Sequence, residues 1–179
     1  MGETRERAED APLAGPDPAI TEAHICGLVV GEGCFYAESA RDPGYRLGWR
    51  IRPAFCIEMR RDERPVLEAV RAYLDCGGIY VLDFGRYEGY RRKRWHPHTK
   101  FRVSSVRDLH AKVVPFFETH HLFGRKRVAF DIFKQLVVVV YERRHLEPGG
   151  LIEAKALAAE LARHNERGIS PADTGTGGG

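Results

Sequence analysis

The sequence predicts an α+β domain: one antiparallel four-stranded sheet with helices packed on one face. Three observations carry that expectation. Apolar residues recur at helical spacing in five stretches, strand-like segments come in pairs between them, and the order is helix, two strands, helix, two strands, then helices. The chain has 179 residues, 43% hydrophobic and 30% charged, with a formal net charge of +3. That is the composition of one soluble domain with a real core, in the range of roughly 100–200 residues.

The first helix is expected from Asp17-Pro18, an N-cap followed by proline at the first helical position, through an apolar stretch to Gly31-Glu32-Gly33. Residues 34–40 (CFYAESA) then read as a strand, and residues 46–59 as a longer one with clear alternation. One face of it carries Leu47, Trp49, Ile51, Phe55, Ile57 and Met59, and the other Arg46, Arg50, Arg52, Cys56 and Glu58. A sheet with one face on a core shows this pattern.

A second helix follows from Asp62, with Val66, Leu67, Val70 and Leu74 at helical spacing, and stops at Cys76-Gly77-Gly78. Residues 79–84 and 99–104 read as strands three and four, joined by a long basic loop. Ser104 or Ser105 caps a third helix interrupted near Pro115. A fourth helix is expected over 126–144 and a fifth, alanine-rich and amphipathic, over 151–164. Residues 1–16 and 165–179 lack hydrophobic period and read as tails, which leaves a single domain over 17–164 with no internal repeat.

Several classes are set aside. No apolar run approaches the ~18 residues of a membrane span, because the longest candidate, 130–141, contains Asp131, Lys134 and Gln135. The N-terminal MGETRERAED has no apolar segment behind its charges, so no secretory signal is expected, and the cytoplasm is the expected compartment. Cys26, Cys34, Cys56 and Cys76 form no C-x-x-C pair and read as reduced core residues. His96, His98, His120 and His121 lack zinc-site spacing and read as surface histidines.

The most specific stretch is Ile25-Cys26-Gly27-Leu28-Val29-Val30-Gly31-Glu32-Gly33, followed by Cys34-Phe35-Tyr36. This segment resembles the motif of the LAGLIDADG homing endonucleases, in the single-motif branch that works as homodimers. The resemblance continues in order through Ala54-Phe55-Cys56-Ile57, Leu74-Asp75-Cys76-Gly77-Gly78-Ile79-Tyr80, Val113-Val114-Pro115-Phe116-Phe117 and Leu122-Phe123-Gly124-Arg125-Lys126-Arg127, covering most of residues 20–140. It implies an αββαββα-type fold. Gly27 and Gly31, four apart on one helix, leave a flat strip for a second helix, with Leu28 beside it, so these three residues are the expected dimer interface.

In the resembling family each subunit's helix delivers one acid to the DNA, and here that acid is Glu32. An acid beside glycines is also what a solvated helix end shows, but a carboxylate is disfavoured at a helix C-terminus. The resemblance implies phosphodiester hydrolysis of both strands with Mg²⁺ or another hard divalent cation, held by Glu32 and the Gly31 carbonyl. It also places a lysine before the long C-terminal helix, for which Lys126 is the first choice and Arg125 the second. Two departures stand out: Val30 occupies an acidic position of the family, and Met59 or Glu58 falls where the family is frequently polar.

Alternation supplies a candidate DNA surface. Arg46, Arg50, Arg52 and Glu58 project outward, joined by Tyr36 and Glu38 from strand one and by Lys100 and Arg102 from strand four. Arginines two apart on a strand suit guanine edges or phosphates in a major groove. The loop over 85–98 adds Arg91, Arg92 and Arg94 among aromatics, a pattern that tracks a phosphate backbone. The expected partner is double-stranded DNA with a near-palindromic site, read by a homodimer. A silent DNA-binding regulator, an RNA maturase-like protein and a decayed enzyme are the alternatives; retention of Glu32 favours the enzyme.

Overall fold

The computed structural model of the chain describes residues 19–82 and 97–166. Helix α1 spans Glu22–Glu32. Its cap is Thr21, whose hydroxyl accepts the His24 amide at 3.4 Å while the His24 ring accepts the Thr21 amide at 3.2 Å. The expected cap at Asp17-Pro18 lies outside the described residues. Gly33 ends the helix, and its amide bonds back to the Val29 carbonyl. A Cβ at Gly33 would stand 2.7 Å from the Val29 Cα, so only glycine lets the chain turn from helix into strand without a loop.

Strand β1 (Gly33–Arg41) pairs antiparallel with β2 (Trp49–Arg60), with Phe35 opposite Phe55 and Glu38 opposite Arg52. β2 starts at Trp49 rather than Arg46, because residues 42–48 form a closed turn. In it the Asp42 amide bonds to the Gly48 carbonyl at 3.0 Å, and Gly48 has a φ of 69° that breaks the extended run. Pro53 is tolerated inside β2 because pairing with the next strand begins only at Phe55.

A 3₁₀ turn, Arg61–Glu63, leads into helix α2 (Arg64–Leu74), which has Pro65 in its first turn and ends on a left-handed Asp75. Strand β3 (Gly78–Leu82) pairs with β4 (His98–Val103), and β4 pairs with β2. The sheet order is therefore β1-β2-β4-β3, antiparallel throughout.

Helix α3 is one helical run in three segments: Val106–Asp108, a π-helical turn Leu109–Val113, and Val114–Thr119. Ser105 caps it, its hydroxyl accepting the Asp108 amide at 3.3 Å. The expected break at Pro115 is corrected to this wider turn just ahead of it, since proline at the start of a new segment has no amide to leave unpaired. Helix α4 (Gly124–Tyr141), a 3₁₀ turn Arg144–Leu146 and helix α5 (Pro148–Glu166) complete the chain. The helix ends differ from expectation by a few residues, and α5 runs past His164 into the expected tail.

Odd-numbered residues of β1 and β2 face the helices. Phe35 lies fully buried at the centre, its ring 5.1 Å from those of Phe55 and Phe133, 5.5 Å from Phe117 and 5.6 Å from Phe130. A smaller cluster of Ile51, Leu136, Val139, Val140, Ala154 and Ala158 docks α5 against α4 and the sheet. Beside it the Lys155 ammonium sits 3.5 Å from the Trp49 ring centre. Burial of these apolar faces, together with the cation on the indole, fixes the C-terminal helix to the body.

Candidate active site

Glu32 is the last residue of α1 and is exposed. Among the described residues nothing hydrogen-bonds or ion-pairs with its carboxylate, and the last turn of α1 holds no base. A free carboxylate at the negative end of a helix dipole gains nothing from its own helix. Gly31 stands just before it, with a carbonyl among the last four, which have no intrahelical partner.

Helix α4 begins beside this corner. The half-buried Lys126 ammonium donates to the Gly33 carbonyl, which brings a positive charge to the residue next to Glu32. Arg125 turns instead toward α5, where its guanidinium donates to the His164 carbonyl at 2.6 Å and its own carbonyl meets the His164 ring at 2.9 Å. One turn holds both: the Asn165 amide donates to the Phe35 carbonyl at 2.9 Å, tying the end of α5 to the start of β1. His164 and Asn165 thus brace the two segments flanking Glu32. Sequence reading missed them, because nothing local distinguishes an Asn at a helix end from the start of a tail.

The outer face of α1 carries Ala23, Gly27, Val30 and Gly31, all exposed. Among the described residues a Cβ at Gly27 or Gly31 would meet nothing within 4 Å, so packing against them does not require glycine at either position. Grooves run along both sides of the helix. Leu28, Pro65, Val66 and Ala69 line one, and Cys26, Val30, His120 and Phe123 the other.

The open face of the sheet carries paired charge. Arg102 meets Glu38 at 2.8 Å and lies 5.8 Å from the Tyr36 ring centre. Glu58 meets Lys100 at 2.8 Å and the His98 ring at 3.0 Å, so His98 is a strand residue with a carboxylate partner. Burial pushes the Glu58 carboxyl up, but hydrogen bonds and charge from Lys100 and His98 outweigh it and hold the pKa below the ordinary value. Arg50 reaches Asp42 at 3.3 Å. Arg52 is exposed, and no ion pair holds it among the described residues.

Two expected positions change. Arg46 is not on this face: it lies in the turn before β2, where its guanidinium donates to the Leu146 carbonyl at 2.6 Å and to Glu147 at 2.8 Å. Met59 packs against the core, which leaves Glu58 as the polar group on that part of β2. Arg91, Arg92 and Arg94 lie outside the described residues.

The cysteines are all free, but they are not all core residues. Cys34 and Cys56 are directly opposed on the open face. The neighbouring Cys56 thiol, then the charges of Lys126 and Lys100, bring the Cys34 thiol down to about 7, while Cys34 and burial push Cys56 up.

Among the described residues no three His, Cys, Asp or Glu side chains converge to chelate a metal. The donors at the end of α1, one free carboxylate and terminal helix carbonyls, are hard oxygens. They fit a Mg²⁺-like ion, which takes one or two protein ligands and completes its shell with water and phosphate.

Comparison with known proteins places the fold. The family model of the LAGLIDADG endonuclease matches residues 25–137. Probable intron-encoded endonuclease 2 of Neurospora crassa is 30% identical over 148 residues, 83% of this chain and 30% of that protein. Probable intron-encoded DNA endonuclease 1 of Mycosarcoma maydis is 32% identical over 111 residues, 60% of this chain and 34% of that protein. Among solved structures, the homing endonuclease I-TnaI superposes with a TM-score of 0.69 at 27% identity, covering 84% of this chain and 99% of that one. I-SmaMI bound to uncleaved DNA target in the presence of calcium ions gives 0.70 at 20% identity, covering 80% and 45%. The chain belongs to the LAGLIDADG endonuclease family. It spans about a third or less of the curated relatives' length, and nearly all of I-TnaI.

Proposed function

We propose that the chain is a site-specific DNA endonuclease that works as a homodimer and hydrolyses one phosphodiester bond on each strand with the help of a hard divalent cation. The observation that carries this is Glu32: an exposed carboxylate that nothing among the described residues holds, at the end of α1 where β1 of the open sheet begins. Gly27 and Gly31 support a second copy of α1 as the occupant of the outer face of this helix, because a Cβ at either position would meet nothing within 4 Å among the described residues. Two-fold pairing of α1 brings two Glu32 carboxylates together and mirrors a near-palindromic site.

Glu32 and the Gly31 carbonyl would hold the cation, which when bound supplies charge stabilisation to the phosphate under attack. Lys126 holds a positive charge at the same corner and stabilises charge building on the phosphate oxygens. Arg125, locked to α5, serves as its support rather than as a direct contact. Arg50, Arg52, Lys100, Arg102, Tyr36, Glu38 and Glu58 line the open sheet face as the groove-reading surface.

The test is a cleavage selection from a randomised duplex pool with Mg²⁺, run beside Glu32→Gln at the same ionic strength. Double-strand breaks enriched by the wild type and lost in the variant, with DNA binding kept, are the expected result. Salt-sensitive binding by both proteins without cutting by either replaces the enzyme with a regulator on the same fold.

A further inference from the structure

Cys34 and Cys56 occupy directly opposed positions on neighbouring antiparallel strands. Opposed antiparallel residues have Cα atoms about 4.5–5.5 Å apart, within the window of about 4.4–6.8 Å that a disulfide spans without moving the backbone. Both side chains lie on the open face of the sheet. The two are unequal in access. Cys56 is only 6% exposed, whereas Cys34 is half-buried and can be reached from solvent. The Asn165 side-chain amide lies 3.9 Å from the Cys34 sulfur. An accessible cysteine directly opposite a shielded second cysteine is the arrangement of a reactive thiol and its resolving partner.

We propose that Cys34 and Cys56 form a reversible oxidation site, which reacts with low-molecular-weight disulfides of the glutathione class and, when oxidised, lowers DNA cleavage. Cys34 sulfur attacks one sulfur of the small disulfide, whose S–S bond breaks and releases one small thiol. Cys56 sulfur then attacks Cys34 sulfur, forms the Cys34–Cys56 bond and releases the second small thiol. The two cysteines lose two electrons and two protons, and the small disulfide gains them as two thiols. The covalent bond clamps the start of β1, which follows Glu32 without a loop, to β2, so Glu32 can no longer adjust its position as the site closes on DNA. Geometry at a reacting centre is sensitive to displacements of about 1 Å, which cost up to about a hundredfold in rate. The effect on cleavage rests on the endonuclease reading; the disulfide itself does not.

The full-length chain is equilibrated in reduced and oxidised glutathione buffers, trapped by alkylation and mapped by peptide mass spectrometry. Cleavage is measured on the duplex recovered by selection. A Cys34–Cys56 bond that forms and is reversed by dithiothreitol is expected, with about a tenfold or greater loss of cleavage when oxidised. In Cys56→Ser the intramolecular bond is absent and a Cys34–glutathione adduct accumulates in its place. Two separately alkylated thiols in the oxidising buffer overturn the site. A bond that forms while the reduced and oxidised rates stay equal overturns the switch. A reduced chain that cuts no duplex counts against the endonuclease reading, and the peptide map then decides the oxidation site on its own.

Discussion

Glu58 shows how single residues on the open sheet face are tuned. Its carboxylate stands between Lys100 and His98, and their hydrogen bonds and charges overcome the cost of burial. The folded pKa lies below the unfolded one, so the stabilisation is fully present above a glutamate's ordinary 4.5 and is lost as pH falls through the folded value. Urea unfolding of the wild type and Glu58→Gln should therefore show a stability gap at about pH 7 that closes by about pH 3. A gap that stays constant over this range removes the ion pairs as its cause. Glu32, by contrast, has no partner to lose among the described residues, so Glu32→Gln should leave unfolding unchanged within about 0.5 kcal/mol while it abolishes cutting.

At the scale of elements, α1 is the informative case. Its inner face, Ile25 and Val29, is fully buried in the core, while its outer face is bare and carries two glycines in open space. Glycine inside a helix costs about 0.5–1 kcal/mol relative to alanine. Gly27→Ala should accordingly stabilise the dilute, monomeric chain by about that amount, measured by chemical unfolding. The same substitution should weaken self-association in sedimentation equilibrium, because a methyl group holds two helix backbones apart. Unchanged association would place the contact between copies elsewhere. Helix α5 plays a different part: its apolar side docks on α4, and His164 and Asn165 fasten the start of α4 and the start of β1 around Glu32.

For the whole molecule, the decisive property is how a modest net charge is arranged. Lys100 and Arg102 on the open face are engaged by Glu58 and Glu38, so the unbound surface is less positive than its arginine count implies. Replacing Glu38 by glutamine releases Arg102 and removes a negative charge. Affinity for a random-sequence duplex should rise, and the plot of log affinity against log salt should steepen by about one phosphate contact. An unchanged slope would show that Arg102 does not meet the phosphates.

Much of this was legible in the chain itself. The alternation of Ile51, Phe55 and Ile57 announced a one-sided strand, and the glycines about Glu32 announced the end of α1, because both patterns are set by neighbours in sequence. The register that opposes Cys34 to Cys56 was not legible, nor was the turn that removes Arg46 from the sheet or the bracing of the site by α5. The sequence by itself determined the elements, their order and the acid at the end of α1. Only the tertiary structure decided which charges are paired, which cysteines meet and what Lys126 touches. Periodicity is written locally along the chain, whereas contacts between residues a hundred positions apart follow from how the packed layers close on one another.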